Sequence, residues 1–120
     1  MVRQPDADDA KQNKIRLMTL RAPVIIAVIA KVDAKHPKVP VLEQVLSAGA
    51  AAQNAMLAAH AKGLGAIWRT GDVAFDSVVD QGLGLEPGDQ VVGYLYLGQI
   101  EGRNKPLPEY KTEDYVECWS

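Results

Sequence analysis

Few residues in this chain are of types that do chemistry, and their spacing excludes most reaction classes. There is no GxGxxG followed by an acidic residue, no Walker A loop, no HExxH and no CxxC. His36 stands beside Lys35 in a proline-marked loop and reads as a solvated residue. His60 falls on the apolar face of a long helical stretch and reads as a packed, hydrogen-bonded core histidine. Cys118 is the single cysteine; it cannot form an internal disulfide, which suits a reducing compartment. Asp76, Asp80 and Glu86 are spaced as helix and turn charges, without an acid/base partner. No catalytic residue and no metal-ligand set is therefore expected. Unusual residue types concentrate instead at the end of the stretch Pro40 to Thr70, which closes on Trp68, Arg69 and Thr70.

Three elements must position that triplet. Pro40 opens a long helix where its missing N–H does no harm. From Val41 to Lys62 the helix would run about 33 Å. One face carries Leu42, Val45, Leu46, Gly49, Gln53, Met56, Leu57 and His60. A second is nearly all small: Ala48, Ala51, Ala52, Ala55 and Ala59. Such a helix is expected to be buried nearly all round, with the alanine stripe meeting a twin across a dimer axis. Lys62 and Gly63 end it with a cation and a glycine, and Ala66 to Arg69 follows as a short strand.

The flanking elements read as supports. Asp6 caps a helix from Ala7 to Leu20, and Pro23 stops it. Val24 to Lys31 is β-branched and apolar on both faces, the pattern of a central strand. Val32 to Val39 is a polar loop. A helical turn spans Asp76 to Gln81, capped by Asp72 or Asp76, with Val78 and Val79 inward. Gln90 to Gly98 is a second central strand, alternating Val91, Gly93, Leu95, Leu97 against Val92, Tyr94, Tyr96, Gly98. Gln99 to Ser120, stiffened by Pro106 and Pro108, is an extended tail laid over a surface.

Composition bounds the rest. At 120 residues and 48% hydrophobic, the chain is expected to form one domain with its own core. A formal charge of −2, from 13 basic and 15 acidic side chains, gives no electrostatic footprint for nucleic acid or an anionic membrane. The N-terminus lacks the apolar core of a secretory signal, and the long helix is interrupted by Glu43, Gln44, Gln53 and Asn54, which excludes a span. A cytoplasmic protein is expected.

Three segments, RAPVIIAVIAK (Arg21 to Lys31), EQVLSAGAAAQNAMLAAHAKGLGAIWRTG (Glu43 to Gly71) and VVGYLYLG (Val91 to Gly98), together resemble the FMN-dependent nitroreductase family, and within it the compact NAD(P)H nitroreductase branch. The resemblance implies an α+β fold: a central, mainly antiparallel sheet, with a long buried helix at the heart of an intertwined homodimer and FMN at the subunit interface. It implies hydride transfer from NAD(P)H to a nitroaromatic, quinone or similar acceptor. Trp68, Arg69 and Thr70 lie where the family contacts FMN. Arg69 would pair bidentately with the flavin phosphate, Thr70 would donate a hydroxyl hydrogen bond to it, and Trp68 would form a wall. Ala58, Ala59, His60, Ala61, Lys62 and Gly63 match the segment that binds NAD(P), with Lys62 as a cation for a nucleotide phosphate.

One departure stands out. Members of the family open with a helix bearing an arginine–serine-type motif for the flavin phosphate, then a further helix and a proline-rich stretch beside the ring. None of that is present, so the chain reads as an N-terminally truncated form of the fold. Two missing charged contacts at about 1.5–3 kcal/mol each would weaken FMN binding by several kcal/mol. The alternative expectation is a non-catalytic remnant that dimerises and binds flavin weakly or not at all.

Overall fold

The computed structural model describes residues 7–18 and 20–120, so the Asp6 cap lies outside the described residues. Three strands, β1 (Val24–Ala30), β2 (Gly65–Arg69) and β3 (Gln90–Gly98), form one antiparallel sheet in the order β1-β3-β2. Helix α1 (Ala7–Met18) precedes the sheet, α2 (Val41–Ala61) links β1 to β2, and the short α3 (Ser77–Gly82) precedes β3. β3 is central, paired along both edges, and Leu95 at its middle is fully buried. β1 is not central. It is an edge strand, with Val24 and Ile26 half exposed, because apolar residues on both faces do not by themselves supply a second strand neighbour.

The sheet has two covered faces. α2 packs across one of them, against all three strands. The opposite face carries Tyr94, Tyr96 and Val91, buried with Val73 and Ala74 of a 3-10 turn at Asp72–Phe75, and flanked by Met18, Ile25, Ile29, Val79 and Leu85. The Tyr94 hydroxyl donates to the Val73 carbonyl at 3.4 Å. Lys11 pairs with Asp76 and Lys14 lies 3.6 Å from Asp72, which ties α1 to the same layer. Asp76 caps α3 by accepting from the Val78 N–H. Val79 points inward but Val78 outward, 74% exposed; a helix of six residues turns only one of two adjacent valines to the core.

Simple alternation along β3 fails at one point. Val28 pairs with Gly93 but Ile29 pairs with Val91, so Val92 is an extra, bulged residue. The bulge turns Val91 to the tyrosine face, while Val92 faces α2 at Gly49. Without it, the start of β3 would present the wrong side chains to both layers.

The small stripe of α2 faces its own sheet. Ala52 and Ala59 are 1% and 6% exposed, and Ala48 and Ala55 are partly covered, while Ala51 stays outside. Small side chains at i, i+4, i+7 and i+11 bring the helix close to a sheet surface that carries Leu95 and Trp68. Ala48, Ala52, Ala55 and Ala59 are thus used within the chain. The apolar face is divided: Val45, Gly49 and Met56 are partly covered, but Leu42, Leu46 and Leu57 are 68%, 62% and 57% exposed. His60 is exposed too, so it is not a core histidine; it sits at the free end of the outward stripe.

The loop between β1 and α2 is fastened by side chains that carry no obvious signature. The Gln44 amide accepts from the Asp33 N–H and donates to the Asp33 and Val39 carbonyls, each within 2.9 Å. His36, exposed as expected, accepts from the backbone N–H groups of Lys38 and Val39 through Nδ1.

Candidate functional site

The triplet Trp68, Arg69, Thr70 forms the end of β2 and the first residue beyond it. Strand alternation separates its members. The Trp68 indole turns toward α2, beside Gly49, and lies flat over Gly93 of the neighbouring strand. Its Nε1–H donates to the Val92 carbonyl at 3.3 Å. A Cβ at Gly93 would fall 2.5 Å from Trp68 Cδ1 and 3.1 Å from Cε2, so the ring can occupy this place only because residue 93 is glycine. Trp68 therefore locks β2 to β3. This contact was not foreseen from the sequence, although a glycine inside a strand marks close approach by a neighbour.

Arg69 points to the other side, paired across the ladder with Tyr94. It is exposed, and among the described residues no carboxylate or carbonyl engages its guanidinium. Thr70 is exposed beside it, and Gly71 follows at φ 65°, turning the backbone sharply outward. A free guanidinium, a hydroxyl and a turning backbone on one exposed rim form an acceptor-seeking set suited to an oxyanion such as a phosphate. The chemistry of these donors fits the phosphate end of a flavin mononucleotide. They offer nothing to enclose its ring.

The segment Ala58 to Gly63 lies elsewhere. It is the last turn of α2 and its cap: the Gly63 N–H donates to the His60 carbonyl, the Leu64 N–H to the Ala59 carbonyl, and Gly63 has φ 77°, which completes a Schellman-type stop. Ala59 is buried, while Ala58, His60, Ala61, Lys62 and Gly63 are exposed. This segment and the Trp68–Thr70 triplet stand at opposite ends of β2, about 15 Å apart by strand rise. One chain does not bring the two sets together.

Concavities lie away from both sets. A cleft of about 470 Å³ runs along α1 at Asp9, Gln12, Asn13 and Arg16, and a smaller one of about 240 Å³ is lined by Phe75, Asp80, Asp89 and Gln90. The lining of the smaller one includes a strongly perturbed carboxylate, Asp89. The Lys31 ammonium, together with the backbone N–H groups of Glu86 and Val32, holds Asp89 at a pKa of about 2. In turn Asp89, with Glu86, raises the pKa of Lys31. The arrangement clamps the end of β1 to the start of β3. Among the described residues no group of three or more histidine, cysteine or acidic side chains could hold a metal ion, and no helix is long and apolar enough to cross a membrane.

Comparison with known proteins adds a further constraint on this rim. A family model described as the nitroreductase family matches residues 2–99. The Escherichia coli K12 protein named "Putative NAD(P)H nitroreductase YdjA" is 45% identical over 92 residues, which is 77% of this chain and 50% of that protein. A Haemophilus influenzae protein named "Putative NAD(P)H nitroreductase" is 32% identical over 112 residues, 92% of this chain and 61% of that one. A solved nitroreductase-like protein from Bacillus cereus superposes with a TM-score of 0.75 at 25% identity, covering 96% of this chain and 61% of its own. The chain spans between half and three fifths of the length of these relatives.

Proposed function

Because the chain belongs to the nitroreductase family, we propose that it forms the phosphate-gripping, dimer-forming part of an FMN-dependent oxidoreductase that moves hydride from NAD(P)H to a nitroaromatic, quinone or similar acceptor. The observation that carries this reading is the unengaged Arg69 guanidinium, presented with Thr70 at the end of a strand that Trp68 holds rigid. Arg69 grips the phosphate with two parallel N–H donors, Thr70 adds a hydroxyl donor, and Trp68 acts by fixing the strand from which both project. Each charged contact contributes about 1.5–3 kcal/mol. When bound, the flavin supplies the hydride chemistry, and the protein's part is to bind, orient and exclude water. Lys62, at the far end of β2, is the cation of the Ala58 to Gly63 segment that would meet a nucleotide phosphate.

These exposed donors alone do not enclose a flavin, so a second surface is required. A second copy seated on the exposed Leu42, Leu46 and Leu57 of α2 supplies it, in a homodimer. The exposed free thiol of Cys118 suits a reducing cytoplasm. A second reading is a dimerising piece that binds flavin weakly or not at all; it is favoured by the two clefts, neither of which touches Trp68, Arg69 or Thr70. Purification separates the readings. A yellow protein with flavin absorbance that oxidises NAD(P)H supports the first, and a colourless dimer that added FMN does not stabilise supports the second.

A further inference from the structure

Thr70 is the member of the proposed phosphate grip with the least support on its own strand. It is the first residue beyond β2, so the Trp68 lock stops two residues short of it. Gly71 follows at φ 65°, and a Cβ there would meet nothing within 4 Å. The chain is next held at Val73 and Ala74, which are 8% and 5% exposed, with the Ala74 N–H donating to the Gly71 carbonyl at 3.2 Å. Both ends of this short span meet one residue of the central strand. Tyr94 stands opposite Arg69 in the ladder, and its hydroxyl donates to the Val73 carbonyl at 3.4 Å.

We infer that Tyr94 is a positioning residue for the phosphate of FMN: it holds Arg69 through the ladder and Val73 through its hydroxyl, and so fixes the span that carries the Thr70 hydroxyl. The inference rests on the Arg69 and Thr70 reading above and adds the residue that shapes their grip. Burial of Val73 and Ala74 is non-directional, so it sets the depth of the turn and not its rotation. A hydroxyl–carbonyl bond is directional and fixes that rotation. Tyr94 is 7% exposed, a place where a phenylalanine would pack the same ring without the cost of burying a hydroxyl. Burial, with the charge of Asp80, raises the Tyr94 pKa, so the group stays a protonated donor at neutral pH. Tyr96 gives the contrast. It lies two residues along the same face, opposite Ile67, and its hydroxyl has no hydrogen-bond partner among the described residues.

FMN and riboflavin, which differ only in the phosphate, are titrated into the native chain, Tyr94→Phe, Tyr96→Phe, Thr70→Val and the pair Tyr94→Phe/Thr70→Val. The ratio of the two affinities is indifferent to how much protein is folded, so a merely structural role would not move it. Tyr94→Phe should lower the FMN-over-riboflavin ratio at least about threefold with riboflavin affinity unchanged. Tyr96→Phe should leave the native ratio. The pair should cost no more than Thr70→Val alone, because the two side chains act in series. Far-UV circular dichroism confirms that the variants fold; Tyr94→Phe keeps the ring and so opens no cavity in the core. A Tyr94→Phe chain that melts earlier yet keeps the native ratio overturns the inference and leaves the Arg69 reading standing. An equal loss of ratio in Tyr96→Phe does the same. A native chain that binds the two flavins alike overturns both.

Discussion

Replacing Gly93 with alanine adds one methyl group where the Trp68 indole lies. The new Cβ would penetrate Nε1 and Cδ1 and stand 3.1 Å from Cε2. The ring has Gly49 and α2 behind it, so it cannot simply lift. Either the sheet spreads, at the about 1–3 kcal/mol typical of overpacking, or the indole swings out and loses its packing and its hydrogen bond to Val92. Full loss of a buried tryptophan costs about 3–5 kcal/mol, and Trp68 is partly buried, so the two routes converge on about 2–4 kcal/mol. For a domain of this size that lowers Tm by about 8–16 °C. Urea denaturation and thermal melts give the magnitude. Pairing Gly93→Ala with Trp68→Ala gives the mechanism: without the indole, alanine should be better than glycine in the strand by about 0.5–1 kcal/mol. The sign of the substitution therefore reverses, with a coupling of about 3 kcal/mol. If Gly93→Ala is as stable as the native chain, or costs the same with and without Trp68, then the ring does not lie where it is described.

Two other outcomes follow from the same geometry. Asp89 has a folded pKa of about 2 against an ordinary 3.8, so its stabilising effect is complete above about pH 4 and disappears as pH falls through 2. Asp89→Asn should be less stable than the native chain at pH 6, and the difference should close toward pH 2, as read from urea midpoints at each pH. Leu46→Asp places a charge on the outward stripe of α2, where Leu46 is 62% exposed. It should leave the dilute monomer within about 0.5 kcal/mol of native stability and weaken dimerisation at least about thirtyfold by sedimentation.

Periodicity made much of this architecture legible. The span of α2 and of the strand Val24–Ala30 to within one residue, the strand Gln90–Gly98 and the glycine stop at Gly63 follow from local pattern and turn chemistry, while pattern left Asp72 and Asp76 as alternative caps and the structure uses Asp76. Which face meets what did not follow. A stripe of alanines signals close approach but not the identity of the neighbour, and here the neighbour is the chain's own sheet. The bulge at Val92 reverses Val91 and Val92, and the adjacent Gly93 signals an irregularity without fixing its register. Gln44 looked like a polar interruption of an apolar helix, yet it fastens the preceding loop. His60 looked buried because it sits in helical phase with leucines that are themselves exposed. For the alanine stripe and the bulge the deciding partner is distant in sequence. The candidate site was legible as residue types at Trp68, Arg69 and Thr70, but alternation places the indole on one side of the sheet and the guanidinium on the other.

The account depends on Arg69 gripping the phosphate of a flavin, and comparing two flavins that differ only in that phosphate tests it most directly. Native chain and Arg69→Ala are titrated with FMN and with riboflavin, following flavin fluorescence at protein concentrations where the dimer is formed. The native chain should bind FMN at least about tenfold more tightly than riboflavin, and Arg69→Ala should erase that preference while leaving riboflavin binding unchanged. An FMN preference that survives in Arg69→Ala, or a native chain that binds the two flavins equally, would contradict it.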